Sequence, residues 1–376
     1  MTLSFAYSEE QNLYREQMRR FGREVIAPRR AEWDQGNFPR PIIEAAATNG
    51  LMSREMDFIS RGIMVEEAGY ADFNTALPLL VASEPYELYR LPGVPDEIGV
   101  PAREAVAAGQ AIVAVGFTEP ESGSDMAAFK GRAVLEGNQW RLNTVKNSIS
   151  WVDADYFIIT CRSEEGSTGV RGLSNFFVPK DTPGVGEPRV WPDIGSRGAK
   201  RGSIAFDDVR VPADHLVGPQ GEGYFMVADF FDTNRVYIAL KCLGAAQASV
   251  DETCEFVQQR HSMGRPISQY QGVSFPLAEA ETQLEAARLL CYKALWMRET
   301  GQRHSREGAM CKWWVPELTF EIVRKCLTLH GHYGYSQELP FEQRLRDILG
   351  WQIGDGTAEI SKLLIARAMM GKEAVG

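Results

Sequence analysis

Apolar residues recur three and four positions apart from Glu9 to about Gly109, in runs such as QNLYREQMRRFGREVIA and PIIEAAATNGLM. That is the helical period, so the first third is predicted to be helical. The pattern changes after AVAAGQAIVAVGFTEP. NQWRLNTV, DYFIITCR, SNFFVPK and SIAFDDVRV are short, rich in β-branched and aromatic residues, and separated by Gly, Pro, Ser and Asp. They predict antiparallel strands across the middle third. From Tyr224 to Ser262 there is one glycine and no proline, and Phe225, Phe231, Ala239, Cys242 and Ala246 can share one face of a long helix. Three more helical segments follow, at about Phe275 to Glu299, Glu307 to Leu329 and Ala358 to Met370. Four helices with short joins predict an antiparallel bundle. Pro316 is expected to kink the third or to sit in its first turn. The predicted class is therefore α+β multidomain: an N-terminal helical domain over residues 1–110, a middle antiparallel β-barrel domain over 111–220, and a C-terminal four-helix bundle over 221–376.

At 376 residues and 44% hydrophobic content the chain can build more than one core and enclose a cofactor. Its 40 basic and 50 acidic residues give a net charge of −10, with no Lys/Arg-dense face and no zinc-finger spacing, which argues against nucleic acid as a partner. The first residues are charged and periodic, without an apolar run long enough for a signal peptide or membrane span. A cytoplasmic location is expected. The six cysteines are scattered without a CxxC pair and read as free, mostly buried thiols. His330 and His332 lack a third ligand nearby, so no metal site is predicted.

Three stretches could carry chemistry. GFTEPESGSD, Gly116 to Asp125, follows an apolar strand and offers backbone N–H groups and hydroxyls to a polar ligand, although its residue types equally suit a surface loop. KNSISWVDAD places Ser148 and Ser150 alternately on a predicted strand, hence on one face. GDGTAEI sets Asp355 just before a helix, where aspartate is a preferred N-cap.

In this order and spacing the segments resemble the acyl-CoA dehydrogenase family of flavoproteins, from about Phe5 to Arg367. The motifs that carry the resemblance are TEPESGSD (Thr118 to Asp125), FDDVRVP (Phe206 to Pro212), RHSMG (Arg260 to Gly264) and GDGT (Gly354 to Thr357). The resemblance implies bound FAD, held by Phe117, Thr118, Ser124, Ile149 and Ser150, with Thr357 and Glu359 in the same chain. Arg260, Met263 and Gln271 match positions that hold the FAD of a neighbouring subunit, which implies a homotetramer or at least a dimer. Asp355 matches the catalytic base, which removes the α proton of an acyl-CoA or carrier-protein thioester while the β hydrogen leaves as hydride. Its backbone N–H would polarise the thioester oxygen. Ser124, Asp232 and Arg235 match positions on the substrate side, and electron-transfer flavoprotein is the implied acceptor.

The chain departs from the family pattern in places. The usual base is Glu; Asp is shorter by about 1.5 Å and is compatible with a bulkier branched or alicyclic acyl group such as cyclohexanecarboxyl. Asn234 stands where some relatives carry the base instead. About ten residues of the family's connection after Met52 are missing, which is expected to reshape the substrate cavity. Two alternatives keep the fold. One is a nitroalkane-oxidase-like enzyme using Asp355 with Lys362 as an approximate match for its arginine; the other is a non-catalytic member in which Asp355 is only a cap.

Overall fold

The computed structural model describes residues 6–375. Six helices come first: α1 (Glu9–Phe21), α2 (Arg30–Asp34), α3 (Arg40–Thr48), α4 (Phe58–Ala71), α5 (Ala76–Ala82) and α6 (Asp96–Ala107). α1 starts where the sequence supplies a reciprocal cap. Ser8 Oγ accepts from the Gln11 N–H and Gln11 Oε1 accepts from the Ser8 N–H, each at 3.1 Å. Glu9 and Glu10 in its first turn and Arg19 and Arg20 in its last complement the helix dipole.

The middle block is one eight-stranded sheet of β1 (Val113–Gly116), β2 (Arg132–Glu136), β3 (Gln139–Ile149), β4 (Tyr156–Arg162), β5 (Leu173–Pro179), β6 (Arg189–Val190), β7 (Gly202–Pro212) and β8 (Leu216–Val217). It differs from the fully antiparallel barrel expected. β1 runs parallel to β4, and the main hydrogen-bonded path is open from β6 to β8. A parallel neighbour needs a long crossover, here residues 117–155, which carries β2 and β3. Trp140, Leu142, Phe157, Phe176, Phe206 and Val211 fill the core of this block.

The third block holds α7 (Gly223–Gln259), α8 (Gln271–Glu299), α9 (Ser305–Leu329), α10 (Phe341–Ile353) and α11 (Ala358–Met370). α10 was not expected: its buried face carries Gln343, Arg344 and Asp347 beside Phe341, Ile348 and Trp351, so the apolar period is masked. Each of these polar groups has a partner, with Arg344 paired to Glu252, Gln343 to Asp72, and Asp347 to the Ser196 N–H. Pro316 lies well inside α9, eleven residues from its start, rather than in the first turn. Between α7 and α8 a tight hairpin of β9 (His261–Ser262) and β10 (Arg265–Pro266) turns through Met263 and Gly264, both with positive φ.

α7 is the spine. Residues 236–240 are wholly buried because α4, α8 and α9 all pack on it. At the α4 crossing the backbones touch. A Cβ on Gly244 would sit 2.1 Å from the Glu66 carbonyl oxygen, and one on Gly69 would sit 2.6 Å from that of Lys241. Among the described residues no helix is long and apolar enough to cross a membrane.

Gly244→Ala should therefore destabilise the fold by overpacking, by about 1–3 kcal/mol, read as a lowered urea midpoint. An unchanged midpoint would show that the crossing relaxes freely.

Candidate active site

The ends of β1 and β3, one stretch of α7 and the α10–α11 connection converge on a cavity of about 690 Å³. β1 delivers the loop that begins at Phe117. That loop is tied down by Lys146 on β3, fully buried, whose Nζ donates to Glu119 Oε1 at 2.8 Å and to the Phe117 carbonyl at 3.1 Å. Burial alone would push the Glu119 carboxyl up, but the Lys146 charge and the Lys130 and Gly131 N–H groups hold it below its ordinary value. The same loop residues Phe117, Thr118 and Ser124 line the cavity.

At the end of β3 the register slips between Lys146 and Ile149 and Ser148 takes a positive φ. Ser148 and Ser150 both line the cavity, while the Ile149 side chain, 1% exposed, points into the sheet core. Ile149 could thus reach a ligand only through its backbone. Trp151, also at positive φ, completes this wall.

α7 contributes Tyr224, Ala228, Phe230, Phe231, Asp232, Asn234 and Arg235. Phe230, Phe231, Phe117, Tyr86 and Tyr89 form an aromatic cluster, with Tyr86 edge-on to Phe230 at 4.7 Å and Phe117 to Phe231 at 5.5 Å. Arg235 pairs with Asp232 one turn earlier at 3.0 Å, and Asp232 also accepts from the Ser305 hydroxyl. Burial lowers the Arg235 guanidinium, offset by the carboxylates of Asp232 and Asp355.

The α10–α11 connection presents Asp355. Asp355 and Gly356 both adopt positive φ, 56° and 96°, a conformation that aspartate and glycine tolerate better than most residues. Asp355 is not the helix cap: Thr357 is, its hydroxyl accepting from the Ile360 N–H at 3.3 Å. The Asp355 carboxylate turns instead to α7, where Oδ2 accepts from Asn234 Nδ2 at 2.6 Å, and Asn234 Oδ1 accepts from the Tyr86 hydroxyl at 2.8 Å.

The connection is held from below by Lys312 of α9. Its buried Nζ donates to the carbonyls of Trp351, 2.7 Å, and Gly356, 2.9 Å, spanning the turn. Burial pushes the Lys312 ammonium down to about 8, and the nearby Asp355 charge opposes that shift. Under the Trp351 ring, 3.4 Å from its centroid, lies the Nζ of buried Lys241, which burial brings down to about 7.

Thr357 lines the cavity; Glu359 faces solvent outside it, its carboxylate held low by its own N–H and the Thr357 hydroxyl. Arg260, Met263 and Gln271 are exposed and away from this chain's cavity, Met263 at 93% on the hairpin tip. Lys362 lies over the Trp313 ring at 4.9 Å and is not part of the cavity wall. The connection over residues 49–57, expected to be shortened, does not border the cavity. His330 stacks on Phe256 at 4.2 Å as a packing residue, and no cluster of metal-ligating side chains occurs among the described residues. The six cysteines are free, five of them buried.

Three cavity-lining residues carry buried nitrogens with no hydrogen-bond acceptor among the described residues: Trp151 Nε1, Arg201 Nε and Arg235 Nε. Arg201 Nε has only a charge contact with Asp193 at 3.4 Å. Unsatisfied donors beside aromatic walls suit a planar ligand rich in acceptors, as an isoalloxazine is.

Models of the acyl-CoA dehydrogenase N-terminal, middle and C-terminal domains match residues 8–86, 114–209 and 221–370. The Bacillus subtilis protein "Probable acyl-CoA dehydrogenase YngJ" is 30% identical over 98% of this chain and 100% of its own. The cyclohexane-1-carbonyl-CoA dehydrogenase of Geobacter metallireducens is 32% identical over 68% of this chain and 67% of its own. The crystal structure of an acyl-CoA dehydrogenase from Geobacillus kaustophilus superposes with a TM-score of 0.90, at 26% identity, over 98% of this chain and 100% of that one.

Lys312→Met leaves the buried Trp351 and Gly356 carbonyls without their donor, so stability should fall by about 1–3 kcal/mol. Amide exchange over residues 352–357 should accelerate by about tenfold or more as the turn loosens. Unchanged exchange there would remove Lys312 as the clamp.

Proposed function

Since the chain belongs to the acyl-CoA dehydrogenase family of FAD-dependent oxidoreductases, we propose that it oxidises a compact alicyclic or branched acyl-CoA, such as cyclohexanecarboxyl-CoA, to the 2-enoyl thioester with Asp355 as the base. The observation that carries this reading is the turn at Asp355. It sets a carboxylate on the cavity wall in a left-handed conformation, while helix capping is left to Thr357.

Phe117, Thr118, Ser124, Ser150 and Thr357 hold the flavin in this reading, with Ile149 contributing backbone only. The chemistry FAD supplies when bound is acceptance of the β hydrogen together with its electron pair. Asp355 takes the α proton, so one C–H bond breaks toward its carboxylate as the α,β double bond forms. An α proton is weakly acidic, and the Asp355 N–H stabilises the enolate-like charge on the thioester oxygen. Asp232 and Arg235 lie toward the thioester and its carrier, and Ser124 bridges substrate and cofactor sides. The aromatic wall of Tyr89, Phe117, Phe230 and Phe231, backed by Tyr86, excludes water and closes the acyl end in this reading.

The preference for a compact acyl group rests on the short reach of aspartate, on that aromatic wall, and on the Geobacter relative named for a cyclohexane carbonyl thioester. The exposed Arg260, Met263 and Gln271 are assigned to the FAD of a neighbouring copy in a homotetramer. Electron-transfer flavoprotein in the cytoplasm is the acceptor in this scheme. In the nitroalkane-oxidase alternative Lys362 is the approximate match for the cation beside the base; it lies over Trp313 outside the cavity wall, and Asp355 instead interacts with the cations of Arg235 and Lys312.

Anaerobic titration of the yellow protein against straight, branched and alicyclic acyl-CoAs should bleach the flavin fastest with an alicyclic thioester. Faster bleaching by straight chains would remove the alicyclic assignment. Asp355→Asn should retain FAD and slow bleaching by at least about 10²-fold; bleaching at the wild-type rate would remove Asp355 as the base.

A further inference from the structure

We propose that Asn234 and Tyr86 are positioning residues: Asn234 holds Asp355 in one geometry and stays hydrogen-bonded to it in both protonation states of its carboxyl group, and Tyr86 fixes Asn234. The proposal rests on the reading of Asp355 as the base. A base must be a carboxylate before it takes the proton and a carboxylic acid afterwards. A neighbour that donates to one carboxyl oxygen can serve both states, because the acid keeps that oxygen as an acceptor when the proton goes to the other.

The geometry meets the first demand. Asn234 Nδ2 donates to Asp355 Oδ2 at 2.6 Å, and the amide is held in that orientation by Tyr86, whose hydroxyl donates to Asn234 Oδ1 at 2.8 Å. Neither partner can drift. Asn234 is 5% exposed on the buried spine α7, and Tyr86 is 2% exposed, packed against Phe230, Tyr89 and Tyr237. Burial also keeps the Tyr86 phenol protonated far above its ordinary range, so its hydroxyl can act as donor or acceptor.

The second demand is met by the same heavy atoms. The α proton arrives on Oδ1, the carboxyl oxygen opposite the Asn234 contact, so Oδ2 becomes the carbonyl oxygen of the acid and keeps accepting from Nδ2. The Tyr86 hydroxyl goes on donating to Asn234 Oδ1, and no hydrogen bond in the chain reverses. A leucine at position 234 offers no donor in either state. The arrangement also gives a reason for an asparagine there: it supplies the donor that fixes a short base.

The test uses the FAD-loaded enzyme and the acyl-CoA that bleaches the wild type fastest, with α-protium or α-deuterium, followed by stopped-flow flavin absorbance. Asn234→Leu is close in size, removes the donor to Oδ2 and adds no second carboxyl beside the base, and Tyr86→Phe removes one hydroxyl and keeps the ring. Both should retain wild-type FAD content and thioester dissociation constant within about twofold, while flavin reduction slows about a hundredfold and about tenfold respectively. The α-deuterium isotope effect should rise in both, as proton transfer becomes more limiting. Asp355→Asn is measured alongside. If it is inactive while the other two variants reduce flavin at the wild-type rate, or lose rate only through weaker thioester binding, Tyr86 and Asn234 have a structural role alone and the proposal falls. If Asp355→Asn keeps the wild-type rate, the base assignment fails first and takes the proposal with it.

Discussion

A buried ammonium under a short turn is the constraint on which the cavity depends. Two consecutive residues at positive φ, Asp355 and Gly356, are costly to hold unless something over-determines them. Lys312 does so by donating to carbonyls on both sides of Asp355, from Trp351 to Gly356. With the turn fixed, the carboxylate reaches Asn234, Thr357 is left to start α11, and Gly356 lies beside the Arg235 guanidinium. Asp355 helps to keep the clamp charged, since its carboxylate counters the burial that pushes Lys312 down.

α7 connects this turn to the rest of the molecule. Its middle is buried on every side, which keeps the helix rigid, and its N-terminal part presents Phe230, Phe231, Asp232, Asn234 and Arg235 to the cavity. The glycine contacts with α4 set how closely the first block approaches, and therefore where Tyr86, just beyond α5, meets Asn234. On the opposite wall, Lys146 performs for the Phe117 loop what Lys312 performs for the Asp355 turn. Two buried lysines, Lys312 bonded to two turn carbonyls and Lys146 to a loop carbonyl and the Glu119 carboxylate, bring the walls of one cavity to fixed positions, which is a form of preorganisation.

Much of this was legible in the sequence where a local pattern carries the structure. The helix, strand, helix order follows from hydrophobic period, and the convergence of Phe117, Thr118, Ser124, Ser150, Asp232, Arg235, Asp355 and Thr357 on one cavity was indicated by motif resemblance. What was not legible depends on partners distant in sequence. α10 hid because its inward residues Gln343, Arg344 and Asp347 are polar and are satisfied from other elements. The parallel pairing of β1 with β4 leaves no trace in either strand's composition. Ile149 turns into the sheet core, opposite Ser148 and Ser150, and Glu359 faces solvent while Thr357 and Ile360 beside it line the cavity. The Tyr86–Asn234–Asp355 chain joins residues 148 and 121 positions apart, so no single segment announces it.

The central claim is that Asp355 moves a proton. Exchange of the α hydrogen of an acyl-CoA whose β position is blocked isolates that event from hydride loss, and proton NMR in deuterated buffer follows it directly. The FAD-loaded wild type should wash out the α-proton signal while Asp355→Asn leaves it intact. Washout by Asp355→Asn at the wild-type rate would contradict the account, because some other group would then be the base.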